Sequence, residues 1–225
     1  MPALLPRHCV QCELRHNEPL ELCGACTADL PWNEHPCARC AAPLSDHQQI
    51  VCRRCEQQPP AFLRAYAPLL YQAGPAEWVQ ALKFNHNVRA GTVLAHLLLR
   101  HCQAHRVEAD VVVPVPLSTR KLKRRGHNQS TLLARHVAQG LRSRLSLSLL
   151  KKIRHTPEQV GLTRRQRVSN LRGAFLASRH ATSLRIALVD DVMTSGATAR
   201  EASDALLEAG ARAVVVLTPT RTPPG

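Results

Sequence analysis

Eight cysteines in the first 55 residues fall into four CxxC pairs, Cys9/Cys12, Cys23/Cys26, Cys37/Cys40 and Cys52/Cys55, with ten, ten and eleven residues between successive pairs. A CxxC turn sets two thiolates on one side of a metal ion, and two such turns complete a tetrahedral shell. Four turns therefore make two structural zinc sites. Residues 9–26 and 37–55 look like two copies of one unit, so the expected pairing is sequential, as two zinc ribbons in a row. An interleaved cross-brace is the less favoured arrangement. Such sites usually fold a segment too short to have its own core, here residues 1–58.

Other cysteine chemistries fit less well. Disulfides need an oxidising compartment, and the opening MPALLPRHC reaches a cysteine before any apolar signal segment could form. The expected location is the cytoplasm. Thioredoxin-type chemistry uses one CxxC beside a βαβ unit, and iron–sulfur ligation more often shows a CxxCxxC run. Cys102, in the apolar run VLAHLLLRHC, reads as a buried core thiol. No stretch approaches the ~20 apolar residues of a membrane helix, which argues against insertion.

From Ala61 the pattern changes to alternating strands and helices, which favours an α/β domain over residues 61–225 with a mainly parallel sheet. Residues 62–71 read as a strand, 74–84 and 88–106 as helices, and 110–114 as a buried strand ending at prolines. Residues 128–141 read as a helix, 147–153 as another strand, 166–171 as a short helix and 184–189 as a central strand. Residues 198–209 form the next helix, and 213–217 close the sheet. Ligands of open α/β sheets bind beyond the carboxyl ends of the strands.

One such end is residues 186–198, IALVDDVMTSGAT. An apolar strand carries Asp190 and Asp191 to the rim, and Val192, Met193, Thr194, Ser195, Gly196, Ala197 and Thr198 lead into a helix N-terminus. Free N–H groups there suit a phosphate, and Gly196 permits close approach. The GxxxxGK[ST] spacing of a Walker A loop is absent.

The net charge of +14 is unevenly placed. Residues 118–185 carry 17 Lys/Arg and a single acid, Glu158. A belt of this density attracts polyphosphates or nucleic acid, with an affinity that falls with salt, whereas solvated faces normally mix both signs. Aromatic residues make up only 3% of the chain, so base stacking would have few partners.

VDDVMTSGAT resembles the phosphoribosyl pyrophosphate (PRPP) motif of type I phosphoribosyltransferases: a hydrophobic strand, two acids, then T[TS]GxT. Residues 111–129, VVVPVPLSTRKLKRRGHNQ, together with the four CxxC pairs, resemble the ComF/GntX family, which shows PVPL and then RGFNQ. His127 stands where that family has an aromatic residue. Residues 155–175, HTPEQVGLTRRQRVSNLRGAF, resemble a third family segment through Gln159, Gly161, Leu162, Arg167, Asn170 and Phe175.

The resemblance implies a type I phosphoribosyltransferase-like fold, an open, mainly parallel twisted sheet with flanking helices, plus the small N-terminal zinc-ribbon domain. It implies that Asp190 and Asp191 are catalytic and hold the ribose, while residues 192–198 hold the 5′-phosphate. Val115, Pro116, Leu117 and Ser118 occupy the place of the pyrophosphate and magnesium loop, with Arg124 and Arg125 as candidate anion contacts. Gln159, Arg164, Arg165, Arg167 and Asn170 belong to a flexible loop over PRPP. No separate hood remains to choose an acceptor, which leaves the zinc ribbons to cover the site.

The implied activity is magnesium-dependent phosphoribosyl transfer, set in the uptake or processing of single-stranded DNA, with that DNA on the belt 118–185 and an uptake helicase as a partner. A PRPP sensor without turnover, a single-stranded DNA adaptor and a nucleobase-salvage transferase are the alternatives.

Overall fold

The computed structural model describes residues 7–85, 87–154 and 173–223. Its centre is a five-stranded sheet in the order β3 (Arg64–Tyr66), β10 (Ala213–Leu217), β9 (Arg185–Val189), β5 (Val111–Pro114), β6 (Arg144–Leu145), with every neighbouring pair parallel. RIALV and AVVVL are nearly continuous apolar runs because both faces of these strands are covered.

On one face, Val111, Val113, Ile186, Leu188, Val214 and Val216 pack with Ala202 and Leu206 of α7 (Ala197–Glu208). On the other, Val112, Ala187, Val189 and Leu217 meet α3 (Ala73–Phe84), α4 (Val88–Ala104) and α6 (Gln129–Leu141). Cys102 is fully buried in this second core, as expected of a packing thiol. The class is thus α/β, an open parallel sheet with flanking helices and an N-terminal zinc-ribbon unit.

Three expectations are corrected. The strand β10 does not close the sheet: it is interior, and the edge is β3. Three-residue β3 is half-exposed at two positions and suits an edge, whereas apolar β10 can be flanked on both sides. The single strand foreseen over 62–71 breaks at Pro68, which has no N–H to give a ladder. Its second part, β4 (Leu69–Leu70), pairs instead with β11 (Thr220–Arg221). The strand foreseen over 147–153 lies outside the main sheet, as β7 (Leu150–Lys152) in an antiparallel pair with β8 (Phe175–Ala177). The helix foreseen over 166–171 lies outside the described residues.

The basic cluster 119–125 is also a helix, α5 (Thr119–Arg125). Ser118 caps it by accepting from the Lys121 N–H at 3.4 Å, and Gly126 ends it in the left-handed conformation at φ 71°.

The N-terminal unit begins with the hairpin β1 (Arg7–His8) and β2 (Arg15–His16). Each ribbon carries one short helix starting just after a cysteine, α1 (Gly24–Ala28) after Cys23 and α2 (Arg53–Gln57) after Cys52. The ribbons straddle the sheet edge. Cys9, Leu22 and Leu30 of the first join the helix-covered core, while Cys37, Cys40 and Cys55 of the second join the core on the α7 side. The Arg39 carbonyl accepts from the Ala65 N–H at 2.7 Å, covering the free edge of β3.

Candidate functional site

The apolar strand β9 ends at Val189, and the next two residues carry the carboxylates. The Asp190 N–H donates to the Leu217 carbonyl at 3.0 Å, which fixes the acids level with the end of β10. Asp190 Oδ1 accepts from Ser130 Oγ at 3.2 Å and from the Asp191 N–H at 2.9 Å. Ser130 sits in the first turn of α6, capped by Asn128, so the positive end of that helix faces Asp190. Lys83, near the end of α3, places Nζ 3.2 Å from Asp191 Oδ1, with both side chains largely buried.

Burial pushes the Asp190 carboxyl up to about 7, and the neighbouring Asp191 charge adds to the rise. The Asp191 N–H, Lys83 and Ser130 oppose it. Lys152 of β7 is pulled down to about 8 by burial and then by Lys121, while Asp190 pulls it back up. A carboxyl and an ammonium are therefore both poised near neutrality at one strand end. That pattern is common where a site is built to receive charge.

After the acids the chain turns through residues 192–196 into α7. Gly196 is left-handed at φ 74°, and an added Cβ would stand 2.8 Å from Met193 Cε. The first N–H groups of α7 have no partner within the helix. The carbonyls of this turn are held from below. Buried Arg221 donates through Nη1 to the Met193 carbonyl at 2.9 Å and to the Thr194 carbonyl, and through Nε to the Cys40 carbonyl at 3.1 Å. Arg54 Nη1 donates to the Ser195 carbonyl.

The loop 115–118 lies alongside. The Val115 N–H donates to the Val189 carbonyl at 2.8 Å, and the Val115 carbonyl accepts from Asn128 Nδ2 at 3.0 Å. Val115 and Ser118 are buried, while Pro116 and Leu117 are half-buried. Arg124 is exposed on α5. Arg125 stacks 5.3 Å from the Phe84 ring centre and donates to Gln129 Oε1 at 3.3 Å. His127 places Nε2 3.0 Å from the Leu82 carbonyl and Nδ1 2.9 Å from the Arg125 carbonyl, acceptors for an imidazole N–H, and so ties α3 to the start of α6. Gln159, Arg164, Arg165, Arg167 and Asn170 lie outside the described residues.

The cysteines gather into two sequential groups, Cys9, Cys12, Cys23, Cys26 and Cys37, Cys40, Cys52, Cys55, with the four Sγ atoms of each within 4.8 Å of one another. Backbone N–H groups point at sulfur in both: Gln11 and Cys23 donate to Cys9 at 3.4 and 3.5 Å, and Cys52 donates to Cys37 at 3.3 Å. The hydrogen bond from Cys40 is the chief cause that pulls the Cys37 thiol down to about 4, and that same contact pushes Cys40 up. Crowded thiols cannot all ionise without a cation between them, which is the condition a zinc ion satisfies. Both groups fit structural zinc.

The sequence did not disclose Lys83 or Lys152, which reach the acids from a distant helix and hairpin, nor Arg54 and Arg221 beneath the loop. Only the Arg54 position, inside a CxxC pair, offered a local clue.

The double zinc ribbon domain family matches residues 1–56. The chain is 32% identical over 206 residues to DNA utilization protein YhgH of Salmonella typhimurium and to that of Escherichia coli K12, covering 89% of this chain and 90% of each relative. It is 29% identical over 203 residues to competence protein F of Haemophilus influenzae, covering 87% and 88%. Among solved structures, an allosteric regulatory enzyme of purine biosynthesis is similar at 27% identity and a TM-score of 0.40, over 57% of this chain and 26% of that one. Glutamine PRPP amidotransferase from B. subtilis, complexed with ADP and GMP, gives 27% and 0.40 over 56% and 26%. The chain spans about a quarter of the length of those two enzymes.

Proposed function

Because the chain belongs to the ComF/GntX family, with DNA utilization protein YhgH and competence protein F, we propose that it binds PRPP and acts in the uptake or processing of single-stranded DNA. The observation that carries the ligand reading is the junction of β9 and α7: two adjacent carboxylates run into a left-handed glycine turn and an uncapped helix N-terminus. Carboxylates accept hydrogen bonds from vicinal ribose hydroxyls, and the turn suits a 5′-phosphate. Lys152, which feels both Lys121 and Asp190, supplies cationic charge for the diphosphate together with Lys121.

In the transferase reading, Asp190 and Asp191 orient the ribose and stabilise positive charge on it as diphosphate leaves. The loop 115–118, braced by Val189 and Asn128, borders the diphosphate. Magnesium, a hard cation, would find a donor in Asp190 Oδ2, which has no hydrogen bond among the described residues. When bound it neutralises diphosphate charge. The zinc ribbons serve as the hood; the contacts of Arg54 and Arg221 brace the turn from its far side and are separate from that role. A sensor without turnover is the second reading, favoured by the Lys83 ion pair that already neutralises Asp191.

Calorimetry with PRPP and magnesium tests the site. Binding should be lost in the double variant D190A/D191A, and equal binding by that variant would sink the assignment. Release of pyrophosphate at a rate above that of the double variant selects the transferase over the sensor.

Arg120, Lys123, Arg124, Arg135, Arg142 and Arg144 are exposed, and such basic side chains suit phosphate-tracking contacts with single-stranded DNA. Binding of an oligonucleotide at two salt concentrations should be salt-steep and weakly selective for sequence; a flat salt dependence would count against the DNA role. The helicase that the family implies remains the proposed protein partner.

A further inference from the structure

Three successive carbonyls of the turn, those of Met193, Thr194 and Ser195, accept from guanidinium groups: the first two from Arg221 and the third from Arg54. In a trans peptide the N–H points opposite to the carbonyl of the same unit. With these carbonyls turned toward arginine, the N–H groups of Thr194, Ser195 and Gly196 face the other way. Among the described residues they donate no hydrogen bond. Successive N–H groups turned to one side make an anion-binding concavity.

Both arginines are held by the second zinc ribbon. Arg54 lies inside the pair Cys52/Cys55, and Arg221 donates through Nε to the Cys40 carbonyl of the pair Cys37/Cys40. No corresponding bond links the turn to a cysteine of the first ribbon among the described residues.

We propose that Arg54 and Arg221 are positioning residues through which the second zinc site shapes the phosphate-binding turn, so that anion affinity depends on metal at the second site and not at the first. The proposal rests on the reading of residues 193–198 as a phosphate loop. Its charge logic is consistent. A four-thiolate zinc centre is dianionic, and two adjacent guanidinium groups offset it. Arg221 is buried against carbonyls, so it also leaves positive charge beneath the turn, which favours a bound phosphate.

The test uses the full chain loaded with zinc and ribose 5-phosphate as the probe. Metal content, calorimetric affinity and amide exchange at Met193, Arg200 and Thr222 are measured together, because Met193 and Thr222 bond the turn to β11 and Arg200 bonds to its last residue, Gly196. R54M and R221M should keep both zinc ions yet bind the probe about tenfold more weakly or worse, with faster exchange at the three amides. R221K should recover part of both. C12S should lose one zinc with affinity and exchange little changed, whereas C52S should lose one zinc together with tight binding.

Wild-type affinity and exchange in R54M and R221M would overturn the proposal, as would equal losses in C12S and C52S. Should C52S fail to fold, the two arginine variants decide. Should the wild type not bind the probe, the phosphate reading falls, and exchange alone still decides whether the ribbon holds the turn.

Discussion

Lys83 Nζ stands 3.2 Å from Asp191 Oδ1, joining the end of α3 to the rim of β9 through an ion pair that is largely out of solvent. Beside that pair, burial and the Asp191 charge raise the Asp190 carboxyl, while Lys83 opposes the rise. Breaking such a pair from one side strands the other charge. K83M should therefore destabilise the protein by roughly 1–3 kcal/mol at neutral pH. It should also drive the Asp190 carboxyl further upward. Thermal unfolding and carbon-13 titration of the aspartate carboxyls check both, and an unshifted Asp190 would refute the coupling.

The raised Asp190 carboxyl makes a definite pH signature. A carboxyl with a folded value above its unfolded one favours folding in the protonated state. Its contribution is complete below about 3.8 and is lost as pH rises through about 7. Asp190→Asn removes that loss and should raise stability by roughly 1–3 kcal/mol above pH 7, with no gain near pH 4. Denaturant unfolding across this range measures it. The same substitution should abolish ribose binding, so stability and function move in opposite directions.

Lys152 predicts proton traffic on binding. Its ammonium is held down at about 8 by burial and Lys121, and a bound phosphate dianion would restore it. At pH 8.5, binding of PRPP should take up protons. Near pH 6.5 the balance should shift toward release, as Asp190 ionises against the ribose or magnesium. Calorimetry in buffers of different ionisation enthalpy reads the sign directly, and K152M should remove the uptake at the higher pH.

Gly196 carries both a conformation and a close approach. At φ 74° a side chain costs about 1–2 kcal/mol, and a Cβ 2.8 Å from Met193 Cε forces that side chain to move. G196A should lower stability by roughly this amount and weaken ribose 5-phosphate binding. Adding M193A relieves the contact but not the backbone strain, so stability should recover only in part.

The legible features were those whose signal is local. Cys9 through Cys55 announced two metal sites because ligand spacing is set by the CxxC turn itself. Residues 186–198 announced a strand, turn and helix because apolar run, acids and glycine are consecutive. Lys83 and Lys152 left no such trace: each arrives through a tertiary contact with sequence on the way that looks like any other basic surface. Helix α5 was hidden for another reason, since seven residues dense in positive charge lack the apolar periodicity that marks a helix. The place of β10 was likewise invisible, because strand order depends on crossovers and not on the strand’s own residues.

That place has a consequence during synthesis. Strand β10 pairs with β3 on one side and β9 on the other, and it is made after both of them. Until residues 213–217 leave the ribosome, β3 and β9 have no partner between them, and the turn at 193–196 has no Arg221 to grip. The ribbons can gather their metal early, but the sheet must wait for residues 213–217. Truncation or stalling there should yield a metal-loaded, aggregation-prone product with open strand edges.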